Sequence, residues 1–217
     1  RFDATLTAQA YEANASAIRA TAGANTPLIY NTGVITAQSI SEGLFDARGI
    51  VIEAGANVPT VRNAGVINAT VYGETGSSYG VIDYSGGVNA IENTGSIIAA
   101  ISPTDDADDK NDADTDPTNE PITGKAVAVD VSRNTTGVTL TQNGVVSSDK
   151  TLTDTDGDGV PDNAEPVIVG AIRFGSGADT FNVLNGTVIG DISFGSGADT
   201  FRIDGGAAVV GSINSGD

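Results

Sequence analysis

The residues best equipped for chemistry in this chain of 217 residues are the acids between Asp154 and Glu165. The run Asp154-Thr155-Asp156-Gly157-Asp158-Gly159-Val160-Pro161-Asp162-Asn163-Ala164-Glu165 fits D-x-[DN]-x-[DN]-G-x5-E, a spacing with which one loop wraps oxygens around a calcium ion. Asp154, Asp156 and Asp158 would offer carboxylate oxygens at positions one, three and five, and Gly159 permits the sharp turn at six. Val160 would offer its backbone carbonyl at seven. Asp162 would ligate directly or through water at nine, and Glu165 would close the site at twelve. A hard cation needs this many oxygens, so calcium is the expected cofactor; the competing reading is a solvated acidic loop. Pro161 and Pro166 forbid the flanking helices that usually hold such a loop.

Two other acidic features are less complete. Asp112, Asp114 and Asp116 alternate in the same way, but Pro117 stands where the turn glycine is needed and no matched Glu follows. That stretch reads as a self-repelling loop, with donation of a carboxylate to the neighbouring loop as a minor alternative. Phe174-Gly-Ser-Gly-Ala-Asp-Thr-Phe181 returns unchanged as Phe194-Gly-Ser-Gly-Ala-Asp-Thr-Phe201, a period of 20. Gly175, Gly177, Asp179 and Phe181, with Gly195, Gly197, Asp199 and Phe201, resemble the calcium-binding nonapeptide G-G-x-G-x-D-x-U-x of RTX proteins. Phe174 and Phe194 replace its leading glycine, and the period is not nine. Asp179 and Asp199 are therefore expected first as caps of tight turns and second as calcium ligands.

The elements that must position these acids are written in a repeat. Ile29-Tyr-Asn-Thr-Gly-Val-Ile-Thr-Ala37, Val61-Arg-Asn-Ala-Gly-Val-Ile-Asn-Ala69, Ile91-Glu-Asn-Thr-Gly-Ser-Ile-Ile-Ala99 and Leu140-Thr-Gln-Asn-Gly-Val-Val-Ser-Ser148 share one pattern. Aliphatics two apart flank an Asn-x-Gly corner, which reads as strand, turn, strand. Gly33, Gly65 and Gly95 are spaced by 32 and 30 residues, and Ala22-Gly-Ala-Asn-Thr-Pro-Leu28 returns as Ala54-Gly-Ala-Asn-Val-Pro-Thr60 at the same offset of 32. Periods in this range signal a solenoid. With a third apolar run in each repeat (Ala17–Ala20, Gly49–Ile52, Gly80–Asp83, Ala126–Val129), the expected fold is all-β: a single right-handed parallel β-helix.

Residues 1–15 would be a cap, either a lead-in strand or a short helix, and residues 16–217 the β-helix, interrupted by acidic insertions at 102–122 and 149–166. Both insertions are expected to leave at the same corner of successive coils. Asn31, Asn63 and Asn93 should form an internal ladder that satisfies buried corner backbone, and Phe181 should stack on Phe201. Arg1 suggests a processed or partial piece, and the strand edge left open at Asp217 suggests that the natural chain continues.

Composition narrows the function. The chain has 28 Gly and no Cys, Met, Trp or His, with 28 acidic against 10 basic residues, a formal charge of −18. Lack of His removes the commonest general base, and lack of Cys removes disulfides and thiol chemistry. Nucleic acid is an unfavourable partner because phosphate neutralisation needs clustered Lys and Arg. So large a negative charge repels itself unless cations bind.

The words Asp-Thr-Asp-Gly-Asp-Gly-Val-Pro-Asp-Asn (residues 154–163) resemble the thrombospondin type 3 family of calcium repeats, over the dozen residues 154–165 only and in one copy where that family has tandem arrays. The N-x-G-x-I coils followed by F-G-x-G-x-D-T-F coils resemble passenger domains of bacterial autotransporters, from about Ala17 to Asp217. That resemblance implies an extracellular place on the bacterial outer-membrane surface, anchored through a barrel outside this stretch of sequence. It also implies a non-enzymatic role in adhesion or biofilm formation, with a host- or cell-surface ligand as partner. A second expectation is a calcium-dependent self-assembling surface layer or filament. A third is a carbohydrate-active β-helix enzyme, which two carboxylates could serve without His. Aromatic residues at 5% and scattered Arg and Lys weigh against the enzyme.

Overall fold

Alternating Val, Ile and Ala make the strands here, because β-branched side chains suit a pleated surface and every second one turns to the interior. The computed structural model describes residues 1–41, 43–102, 122–149 and 151–216. The first coil consists of β1 (Thr5–Tyr11), β2 (Ala15–Ala20) and β3 (Ile29–Asn31), and the second of β4 (Val34–Ile40), β5 (Ala47–Ile52) and β6 (Thr60–Asn63). The third contains β7 (Val66–Tyr72), β8 (Ser78–Asp83) and β9 (Ala90–Asn93), and the fourth β10 (Ser96–Ile101), β11 (Ala126–Asp130) and β12 (Thr139–Gln142). Two shorter coils follow: β13 (Val167–Val169), β14 (Ala171–Arg173) and β15 (Thr180–Val183), then β16 (Thr187–Ile189), β17 (Ile192–Ser193) and β18 (Thr200–Ile203). β19 (Ala208–Val210) and β20 (Ile213–Asn214) begin another.

Each coil gives one strand to each of three sheets, ordered β1-β4-β7-β10-β13-β16-β19, β2-β5-β8-β11-β14-β17-β20 and β3-β6-β9-β12-β15-β18. Strands within each sheet run parallel. The result is a parallel β-helix. The N-terminal segment is a full strand of the first sheet, with Thr5 opposite Val34 and Tyr11 opposite Ile40.

Like residues stack on like down the core. Ile35, Ile67, Ile97, Ile168 and Val188 occupy one file of the first sheet, and Val61, Ile91, Leu140 and Phe181 one file of the third; all are fully buried. Among the aromatics Phe181 and Phe201 are neighbours as expected, but tilted, and the flat stack lies elsewhere. Phe174 and Phe194 are the face-to-face pair, with centroids 5.0 Å apart and planes 3° from parallel. Phe181 and Phe201 meet at 5.7 Å and 44°. Phe181 also packs on Phe174 at 6.1 Å and 50°, a tilted contact of the kind aromatic rings favour.

The Asn ladder forms and runs one rung further than expected. Nδ2 of Asn31 donates to Oδ1 of Asn63 at 2.8 Å, Asn63 to Asn93 at 2.9 Å, and Asn93 to Oε1 of Gln142 at 3.1 Å. Each rung also donates to the first residue of a sheet-one strand: Asn31 to Val66 O, Asn63 to Ser96 O, Asn93 to Val167 O and Gln142 to Thr187 O. Beside the ladder, corner glycines are required by close approach. A Cβ on Gly65 would lie 2.8 Å from Gly33 N and Thr32 C, and one on Gly95 would lie 2.9 Å from Gly65 N.

The corner after Gln142 departs from the sequence pattern. The described residues 145–149 form no strand. Val145 and Val146 are exposed, and Val167–Val169 takes the place beside β10, with Ser96 opposite Val167. The second insertion therefore leaves between the third and first sheets. The first leaves after β10, between the first and second sheets, so the two do not share a corner. The reason lies in the insertion itself: Ser147 N donates to Gly159 O at 2.8 Å, which turns residues 145–148 towards the acidic loop and away from the sheet. Asp112, Asp114 and Asp116 lie outside the described residues.

Candidate metal centre

The loop from Asp154 to Glu165 folds around its own carboxylates. Oδ1 of Asp154 accepts from Gly157 N at 2.8 Å and its Oδ2 from Gly159 N at 3.0 Å. Oδ1 of Asp156 accepts from Asp158 N at 3.3 Å, and Oδ1 of Asp158 from Val160 N at 2.7 Å. These bonds need the chain to turn sharply, and Gly157 and Gly159 do so at φ +78° and +91°. The turns bring Asp154, Asp156 and Asp158 together: each has a carboxylate oxygen within 4.8 Å of the others. Oxygens that each lie about 2.3–2.6 Å from one calcium ion are at most about 5 Å apart, so this trio fits a single hard cation. A carboxylate oxygen that accepts one N–H keeps a further lone pair for a metal.

The other sequence-predicted ligands are placed differently. Both oxygens of Asp162 are taken by Thr155, from N at 2.8 Å and Oγ1 at 2.6 Å, and these bonds hold its carboxyl below the usual range. Asp162 begins one 3₁₀ turn (Asp162–Ala164) between Pro161 and Pro166. Glu165 is outside the converged trio. Burial pushes its carboxyl up, and the charges of Asp156, Asp158, Asp162 and Asp154 push it further. Twelve residues with five carboxylates and no base thus repel themselves. Val160 anchors the loop with a buried side chain that fills the space a side chain on Gly144 would need.

Sequence reasoning missed what the loop rests on. Asn185 Nδ2 donates to Asp158 Oδ2, and Asp156 lies against Gly206, where any Cβ would clash with its carboxylate. Both partners come from later coils. Asn143, Gly144, Val146, Asp158, Val160 and Asn185 line a cleft of about 380 Å³ that Arg202 and Asp204 help to close. The local signal was Asn185-Gly186, a turn dipeptide that also occurs at Asn143-Gly144.

Asp179 and Asp199 act as backbone caps that reach back one coil. Asp179 Oδ1 accepts from Val138 N at 2.7 Å, and Asp199 Oδ1 from Asp179 N at 2.9 Å. The Oδ2 atoms of both are buried without a hydrogen-bond partner. Burial pushes the Asp179 carboxyl up, the Val138 N–H draws it down, and the charge of Asp199 pushes it up again. A carboxyl with a raised folded-state pKa stabilises most below the unfolded carboxyl range, and that contribution is lost as pH rises through the folded value. Asp179→Asn is therefore expected to raise stability at pH 7, where the buried carboxylate would carry a charge, and to leave it unchanged near pH 3. Urea denaturation at both pH values checks this. A variant that loses stability at pH 7 only when calcium is present would instead make Asp179 a ligand.

Compared with known proteins, the chain matches no family model, no curated protein and no solved structure.

Proposed function

We propose that the chain is a non-enzymatic, calcium-binding β-helix scaffold of the autotransporter-passenger type, displayed on a bacterial outer-membrane surface and acting in adhesion or biofilm formation. The observation that supports it best is an acidic loop, shaped for one hard cation, inserted into a regular parallel stack of coils. A stack of this kind is a rod in which each coil is fixed by its neighbours. Insertions stand out from the rod at set positions, which suits recognition of a host- or cell-surface ligand. The net charge of −18 favours a role outside the reach of nucleic acid and in the presence of free cations.

The self-assembling reading has one observation in its favour. Ile98, Val169, Ile189 and Val210 stand residue to residue on the outer side of the first sheet, with Ile189 and Val210 well exposed. Light scattering on the chain while calcium is raised to about 5 mM, above the range of weak extracellular sites, separates the two. The scaffold is expected to stay monomeric while calorimetry records calcium binding. Growth that chelator reverses and Asp156→Ala abolishes would replace it with the assembling layer. No binding heat at all would remove calcium from either reading.

A further inference from the structure

We infer that Asn185 is a calcium ligand contributed by the coil that follows the loop, so that the cation joins the insertion to the β-helix. The inference rests on the calcium reading above and adds a residue outside the twelve-residue pattern. Asn185 lies in the turn after β15 and is 3% exposed. Its amide meets the trio directly, with Nδ2 donating to Asp158 Oδ2. Its Oδ1 is buried with no hydrogen-bond partner. A buried acceptor left unpaired is costly, so this oxygen calls for a partner.

The two ends of an Asn amide exchange places by a half-turn about χ2. As placed, the N–H end faces Asp158 and relieves its charge. With calcium among Asp154, Asp156 and Asp158, the half-turn brings Oδ1 to the carboxylate, where two oxygens are repulsive unless a cation draws them together. Calcium takes six to eight oxygens and accepts Asn carbonyls among them. The converged trio alone offers fewer than this, since Asp162 and Glu165 lie outside it. Gly144 leaves the room this amide needs: a Cβ there would lie 2.9 Å from Asn185 Cγ and from Nδ2.

The test is calcium calorimetry on the full chain with Asn185→Leu and Asn185→Asp, with Asp154→Ala as the control for the loop. Asn185→Leu is expected to weaken calcium binding at least about tenfold, the lower bound for loss of a group that supports a metal. Asn185→Asp keeps an oxygen but loses the N–H that faces Asp158. A ligand role predicts equal or tighter calcium binding for it, with a lower melting temperature in chelator from the added charge. A positioning role through that N–H predicts weaker binding, which would overturn the inference, as would unchanged affinity in Asn185→Leu. Should Asn185→Leu fail to fold, Asn185→Asp still decides. If the parent chain and Asp154→Ala both give no calcium heat, the calcium reading itself fails.

Discussion

Asn63→Leu is expected to remove at least about 4 kcal/mol of stability, while Asn57→Leu, in the turn before the same strand, removes less than about 1 kcal/mol. Both side chains belong to amide ladders. Asn57 donates to Asn25 Oδ1 at 2.8 Å on the exposed surface, where water replaces the bond. Asn63 is fully buried and donates to Gly65 O at 3.1 Å, Asn93 Oδ1 at 2.9 Å and Ser96 O at 3.0 Å, and it accepts from Asn31 Nδ2. Leu fills the same volume and makes none of these bonds. Several acceptors and one donor are then stranded away from water, at about 1–3 kcal/mol each with some sharing among those that keep other partners. Four kcal/mol is a large part of the ~5–15 kcal/mol that holds a domain folded. Urea denaturation followed by circular dichroism measures both variants. Equal losses at the two positions would mean that the buried ladder is not what fixes the coils.

The same contrast explains what could be read from the sequence. Stacking repeats a demand at the same point of every coil, so one physical constraint is written several times over. The Asn31, Asn63, Asn93 ladder and the Gly33, Gly65, Gly95 corners were visible because each coil must satisfy the same buried backbone and clear the same carbonyl. Gln142 was harder to see, since its longer side chain answers the demand of an Asn from a different residue type. The corner at Gly144 misled for a related reason. Val145-Val146-Ser147-Ser148 has the alternation of a strand, and Val167-Ile168-Val169 has it as well. Only one can lie beside β10. The choice falls to Val167 because Ser147 and Val146 are engaged by Gly159, a contact between the insertion and its own stem that no periodicity encodes. The loop shows the same limit: its internal spacing revealed Asp154, Asp156 and Asp158, whereas Asn185 and Gly206 reach it through the stacking of later coils.

Asp156→Ala separates the cost of the loop's charge from the gain of its cation, because this side chain has little to lose without metal. Its one bond within the loop is the long 3.3 Å contact from Asp158 N, whereas Asp154 caps both Gly157 N and Gly159 N. In chelator the variant is expected to be as stable as the parent or slightly more so, since one of five mutually repelling carboxylates is gone. Calcium reverses the order. A parent that binds with a dissociation constant near 50 μM gains about 2.7 kcal/mol at about 5 mM calcium, because only the folded loop presents the converged oxygens. Asp156→Ala gains close to nothing, because a carboxylate from the centre of the trio cannot be replaced by its neighbours. Asp154→Ala should lose the calcium gain too, but start from a lower stability in chelator through its missing caps. Urea denaturation of the three proteins with and without calcium gives the crossing directly. A parent and an Asp156→Ala variant that shift together on adding calcium would place the cation elsewhere on the acidic surface and leave the loop as a solvated insertion.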